Sequence, residues 1–335
     1  MTREPQAQGE GRVLEVADLW VEFATPGGTV YAVNGVGFDL RRGETLAILG
    51  ESGCGKSVTA LAVMGILRAP PARFRARTMR LGEVDLLRAS PAEMRSIRGA
   101  RIAMIFQDPF MSLNPTKTVG QQIGEVFRVH RGVSQAEARR LAIGLMERVR
   151  IPSAKRRVDD YPHQFSGGMS QRIMVASAIA LGPEILLADE PTTALDVTVQ
   201  AQIMDILAEL RRESGMAVVL ITHDLRLAAE TAERAAVMYA GRIVETGPMA
   251  DIYARPRHPY TIGLLRSLPD DEGQRRRLHP IAGTPPVLSQ LPAGCAFVPR
   301  CQWAQARCSR ELPPMRPVAG EQACACHFAS ELTLA

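Results

Sequence analysis

No apolar run in this 335-residue chain approaches the roughly 18 residues that a membrane span requires, so the chain is not expected to cross a bilayer by itself. Residues 1–11 are polar and have no apolar core, so no secretory leader is expected and the protein reads as cytoplasmic. No dominant charge is present either: 40 Lys and Arg stand against 35 Asp and Glu, a net charge of +5, with Arg and Glu interspersed. Such a balance does not indicate a nucleic-acid partner. No internal repeat at a solenoid period is visible. Cysteine is scarce over most of the chain: Cys54 stands alone, and the other five fall between Cys295 and Cys326. Without secretion, structural disulfides are not expected among them. What remains is an ordinary globular composition, 46% hydrophobic and 22% charged, long enough for one large or two modest domains.

The most informative stretch is Gly50-Glu51-Ser52-Gly53-Cys54-Gly55-Lys56-Ser57, which fits G-x-x-x-x-G-K-[ST]. Residues 45–49 before it are a short apolar run of the kind a buried parallel strand requires, and residues 58–67, from Val58 on, are apolar and helix-permissive. Strand, loop and helix together give the context of a phosphate-binding loop. Gly50, Gly53 and Gly55 let backbone N–H groups, with those of Ser52 and Val58, turn toward phosphate oxygens with no Cβ in the way. The helix start adds its positive dipole end. Lys56 can reach the β- and γ-phosphates of a nucleotide, and the Ser57 hydroxyl can ligate Mg²⁺.

Along the rest of the chain, residues 13–23 alternate like a half-buried strand, Pro26-Gly27-Gly28 turns, and residues 29–40 read as a second strand. An antiparallel sheet thus leads into a parallel one. Further buried strands are expected at 101–106, 184–188 and 217–222, and a hairpin over 235–246 around Ala240-Gly241. Helices are expected over 121–130, 134–149 and 197–213, with Ser134 and Glu137 at capping-box spacing. From Pro256 prolines crowd in, Arg275-Arg276-Arg277 forms a charge run and helical periodicity fades, which places a boundary near 255. Gln107, Asp189, Glu190 and His223 all stand at the carboxyl ends of expected parallel strands, the edge where open α/β sheets bind ligands. Asp189 suits a second Mg²⁺ anchor, and Glu190 beside it suits polarising an attacking water.

Phe165-Ser166-Gly167-Gly168-Met169-Ser170-Gln171-Arg172 opens a helical run and makes a second anion-binding helix start. Placed before the Asp189 strand, it resembles the signature motif of ATP-binding-cassette (ABC) ATPases. The whole order then matches that family: Walker A at 50–57, Q-loop at Gln107, signature at 165–169, Walker B at 185–190, D-loop at Ala194-Leu195-Asp196 and switch His223. Met169 departs from the family's usual Gln; Ser166 and Gly168 are intact. The resemblance implies an α/β P-loop NTPase core over 1–255, a mixed sheet with an antiparallel β subdomain and a helical subdomain at about 90–180, followed by a small C-terminal extension over 256–335. It implies ATP held head-to-tail between Walker A of one subunit and Ser166, Gly167, Gly168 and Asp196 of another. Mg²⁺ would sit on Ser57, Gln107 and Asp189. Glu190 would be the catalytic base, with His223 holding the γ-phosphate and Glu190 in register, and Gln107 would be the third catalytic residue. Adenine would stack on Phe23, with Tyr31 as the second choice.

Arg257-His258-Pro259-Tyr260-Thr261, followed by Leu264-Leu265 and Ser267-Leu268-Pro269, resembles the C-terminal extension of oligopeptide and dipeptide importer ATPases. Gln107-Asp108-Pro109 and Ser112-Leu113-Asn114-Pro115 resemble the same group, and the signature looks like that of the "D" member of its ATPase pair. Four thiolates brought together suit a [4Fe–4S] cluster or a structural zinc. The spacing of Cys295, Cys301, Cys308 and Cys326 lacks the tight pairs of zinc ribbons and resembles the iron–sulfur pattern of the peptide importers. Cys324 is the alternative fourth ligand, and free thiols are the plain alternative. The resemblance implies an ATPase on the cytoplasmic face of the cell membrane, paired with a homologous second ATPase, docked to two permease subunits and served indirectly by a solute-binding protein. Nickel or another small solute as cargo, and a soluble ABC ATPase, are the competing readings.

Overall fold

A computed structural model describes residues 11–193, 195–268 and 280–332. Ala194 of the expected D-loop, Pro269 and the Arg275-Arg276-Arg277 run lie outside them. The chain divides into two compact units. One gathers residues 11–13, Leu40–Glu44 and Leu81–Val219; the other gathers Leu14–Asp39, Thr45–Arg80 and the described residues from Leu220 onward.

In the second unit, the strands Arg12–Thr25 and Gly28–Arg41 are neighbours in an antiparallel sheet. The strand Ala72–Arg75 also pairs with the first of them, with Phe23 opposite Ala72. The strand before the glycine loop, Thr45–Leu49, is buried at every position. It runs parallel to Arg234–Tyr239, with Leu49 opposite Val237. A strand covered on both faces has no polar side to show, hence its unbroken apolar sequence. Arg234–Tyr239 turns back into Arg242–Pro248 through Ala240 (φ 48°) and Gly241 (φ 81°). Two successive positive φ angles give the turn whose twist matches a tight hairpin.

The tail departs from its sequence reading. Regular structure does not fade at Pro256. His258 caps a helix over Pro259–Arg266, its Nδ1 accepting the N–H of Tyr260 at 3.1 Å. Pro259 takes the first helical position, where its missing N–H costs nothing. Two further strands, Gln322–Cys324 and Arg316–Ala319, extend the sheet beyond Arg242–Pro248. The tail also contributes core. Tyr260 is wholly buried and Phe297 nearly so, and they pack with Tyr239 at ring-centroid distances of 4.6 to 5.6 Å. Three aromatics drawn from distant points supply apolar area that no periodic pattern announces.

In the other unit, the strands Ile102–Ile105 and Ile185–Asp189 run parallel, with Ile102 opposite Ile185, and both are buried throughout. The helices of this unit include Pro91–Ile97, Val119–Arg131, Gln135–Arg148, Gly167–Ala178 and Val197–Ser214. The helix expected from residue 121 begins at Val119, because Thr118 and Gln121 form a complete capping box. At Ser134 only half of the expected box forms. The Ser134 hydroxyl accepts the N–H of Glu137 at 3.2 Å, but the Glu137 carboxylate is taken by Arg140. The helix after the glycine loop spans Lys56–Val63, shorter than the apolar run, and the chain passes into a left-handed Gly65. Among the described residues no helix is long and apolar enough to cross a membrane.

The buried base of the tail has a pH signature. Burial drives His258 from its ordinary 6.5 to about 3, so the folded ring is neutral. Unfolded chains take up that proton near 6.5, so the stability this residue confers is intact above that pH and is lost as pH falls toward 3. The buried Glu245 carboxyl accepts the His258 N–H, and burial raises its pKa, an opposing effect at low pH. Comparison with His258→Gln isolates the histidine. Denaturant titrations should show wild-type stability falling by ~2 kcal/mol more than the variant's between pH 7 and pH 5. Parallel pH curves for the two proteins would remove this account of the tail.

Candidate nucleotide site

The glycine loop is set by close backbone approach. Gly50 (φ 153°) and Gly55 (φ 107°) occupy the region that L side chains avoid, and a Cβ on either would stand 2.2 Å from the Met238 carbonyl oxygen or 2.3 Å from that of Ala32. No other residue fits there. Lys56 follows, only 4% exposed, and its ammonium donates to the carbonyl oxygens of Gly50 (2.7 Å) and Glu51 (3.0 Å). A buried cation held by neutral carbonyls, with no carboxylate on it among the described residues, is a site fitted for an anion. Ser57 follows it, half-buried on the same helix. Cys54 is buried within the loop, and burial raises its thiol pKa despite the neighbouring Lys56.

Glu51 is tied at both its N–H and its carboxylate. Its N–H donates to the Tyr260 hydroxyl at 2.8 Å, and Arg300 grips the carboxylate with two bonds of 2.6 and 2.9 Å. Sequence reasoning found neither partner. Arg300 lies 249 residues away and no local pattern marks it; Tyr260 was visible as part of a motif, but its hydroxyl's target was not.

The catalytic candidates of the other unit gather around one carboxylate. Glu190 follows the buried Asp189 in a left-handed conformation (φ 45°). One of its oxygens accepts both the Gln107 amide at 3.0 Å and the Thr193 hydroxyl at 2.8 Å. A single residue held out of the usual φ range aims its side chain away from the strand line. Thr193 escaped the sequence reading, although it stands three residues after Glu190. Ser166 caps the helix Gly167–Ala178, its hydroxyl accepting the Met169 N–H, so Gly167 and Gly168 form the first turn. The Met169 sulfur, where the family pattern has Gln, accepts from Arg157 at 3.3 Å. Asp196 caps the helix Val197–Ser214 by accepting from Val199 N–H at 2.9 Å. His223 is exposed at the end of the buried strand Ala217–Thr222. The Phe23 ring is half-buried, whereas Tyr31 is 41% exposed.

In the tail, Cys295, Cys301, Cys308 and Cys326 line one cavity together with His258 and Phe297. Cys324 does not share it; it is fully buried in the strand ladder opposite Glu245. All six cysteines are free thiols. Burial raises the thiols of Cys295 and Cys301 and pushes Cys326 up to about 11. Among the described residues no group of three or more His, Cys, Asp or Glu is set to hold one metal ion.

Comparison with known proteins identifies the family. Residues 33–193 match the ABC transporter family, and residues 244–308 match the oligopeptide/dipeptide transporter C-terminal region. The dipeptide transport ATP-binding protein DppD of Bacillus subtilis is 51% identical over 302 residues, 90% of each chain. The oligopeptide transport ATP-binding protein OppD of the same organism is 49% identical over 305 residues, covering 91% of this chain and 85% of that relative. The dimeric structure of MJ0796, a bacterial ABC transporter cassette, superposes with a TM-score of 0.62 at 28% identity, covering 70% of this chain and 98% of that one. The chain belongs to the ABC transporter ATPases, with the P-loop α/β fold of that family.

The loop geometry gives a direct test. Gly55→Ala places a methyl against the Ala32 carbonyl at a strained φ. Nucleotide affinity should drop by at least about tenfold while the far-UV spectrum is retained. Unchanged affinity would show that the loop does not depend on that close approach.

Proposed function

We propose that the chain is the ATP-hydrolysing subunit of a peptide importer, working at the cytoplasmic face of a membrane. The observation that carries the ATPase half is the buried Lys56 ammonium held by loop carbonyls. The peptide half rests on the C-terminal region shared with peptide transporters. In this reading the loop N–H groups from Gly50 to Val58 and the Lys56 ammonium bind the nucleotide phosphates, and Phe23, or failing it Tyr31, stacks on adenine. Ser57, Gln107 and Asp189 would hold Mg²⁺, which neutralises charge on the phosphates when bound.

Glu190 orients a water and takes its proton as that water attacks the γ-phosphate. Its carboxylate accepts from the Gln107 amide and the Thr193 hydroxyl, which hold it in place. His223 holds the γ-phosphate from the end of its strand. Ser166, Gly167, Gly168 and Asp196 complete the site of a second subunit, a homologous ATPase paired with this one. A pair of membrane permeases and a solute-binding protein would make up the transporter. ATP-driven closure of the two ATPases shifts the permeases between states through differential binding.

The tail cavity would hold a [4Fe–4S] cluster on Cys295, Cys301, Cys308 and Cys326. One feature supports this: the four thiols line one cavity. A zinc ion draws all its sulfurs to about 2.3 Å, whereas a four-iron cluster gives each thiolate its own iron.

Two measurements test these assignments. Glu190→Gln should retain ATP affinity and lower turnover by at least about a hundredfold in the assembled transporter. Turnover at the wild-type rate would remove Glu190 as the base. Protein purified without oxygen should be brown, with about four irons per chain, and Cys301→Ser should bleach it and expose the tail to proteases. One zinc per colourless chain, or no metal at all, would overturn the cluster.

A further inference from the structure

Every polar group of Glu51, the second residue of the glycine loop, is committed. Its carbonyl accepts from Lys56 at 3.0 Å, its N–H donates to the Tyr260 hydroxyl, and its carboxylate takes both forks of Arg300. Two of these three partners come from the C-terminal region. Arg300 is itself held without slack. Nε donates to the Ala282 carbonyl at 3.1 Å, one terminal nitrogen also meets the Tyr239 hydroxyl at 3.4 Å, and the other meets the Ile281 carbonyl at 3.5 Å. All five N–H groups of the guanidinium thus have acceptors. The plane stands 5.8 Å from the Tyr239 ring centroid and 5.9 Å from that of Phe297, and the side chain is 3% exposed.

We infer that Arg300 and Tyr260 are positioning residues for nucleotide binding: they fix Glu51, and through it the phosphate loop. The physical need is plain. A loop that receives the polyanionic end of a nucleotide carries a carboxylate at its second position. Unpaired, that charge would repel the phosphates at short range, where screening is weak. Arg300 cancels it without entering the loop. A bidentate pair also fixes direction as well as charge, and the Tyr260 hydroxyl fixes the peptide plane between Gly50 and Glu51. The same plane carries the Gly50 carbonyl that anchors the Lys56 ammonium. The C-terminal region is therefore a structural part of the nucleotide site, a role nothing in its sequence announces.

This inference rests on the loop being a nucleotide site. Equilibrium titration with a fluorescent ATP analogue, using the full chain, separates the two. Wild-type protein that binds no nucleotide would sink the ATPase reading itself. Given wild-type binding, Arg300→Met should weaken affinity on the order of tenfold, and Arg300→Lys should recover part of it through charge alone. The Glu51→Gln, Arg300→Met double variant should bind no worse than Arg300→Met, because the two residues act as one unit. Tyr260→Phe should weaken binding by a smaller factor. Melting and limited proteolysis run alongside. Variants that melt early or lose the tail to protease yet bind ATP as the wild type does would reduce both residues to scaffolding and overturn the inference. So would additive effects in the double variant. Should Arg300→Met fail to fold, Glu51→Gln is decisive, since it keeps the packing of Arg300: unchanged affinity there also refutes the inference.

Discussion

The structure depends on keeping one ammonium buried in a ring of backbone. Lys56 is desolvated against the carbonyls of Gly50 and Glu51, a costly position for a cation that has no carboxylate on it among the described residues. Everything nearby makes that position tolerable. The strand Thr45–Leu49 is buried on every side and delivers the loop at a fixed point. Two glycines bring the loop against the carbonyls of Ala32 and Met238, closer than any side chain would permit. The hairpin that supplies Met238 also supplies Tyr239, which reaches the tail. An arriving phosphate then meets a charge already stripped of water and already aimed, which is how preorganised sites gain their strength.

The tail is thus read best as buttress rather than appendage. His258 caps its helix, Glu245 accepts the N–H groups of Arg257 and His258, and Gln322 donates to the same carboxylate. That network is buried, so each member is costly to lose. Above it, the aromatic trio of Tyr239, Tyr260 and Phe297 carries the hydroxyl and the guanidinium that fasten Glu51. In the other unit the logic is different. Glu190 is held at φ 45° and shares one oxygen between Gln107 and Thr193.

Much of this was legible in the sequence, for identifiable reasons. Buried parallel strands must be unbroken apolar runs, so the strands before Gly50 and Glu190 could be read directly. The glycine loop could be read because its backbone admits no substitutes. One helix start followed from Ser134 at its cap position, while the Thr118 cap went unread, and the hairpin followed from Ala240-Gly241. What escaped was long-range. The tail's core is made by residues spread from Tyr239 to Phe297, with no periodicity, so it looked like a region without one. The half-formed box at Ser134 failed because Arg140 competes for Glu137. The Arg300 pairing with Glu51 joins points 249 residues apart, and a single sequence carries no trace of such a contact.

The central claim is that ATP bound at this loop drives peptides across a membrane. Proteoliposomes containing this chain, its partner ATPase, the permeases and the solute-binding protein measure it directly. ATP supplied on the ATPase side should drive uptake of labelled di- and oligopeptides, and ADP should not. ATP turnover with no peptide uptake, or accumulation of a metal ion or other small solute in place of peptide, would contradict the account.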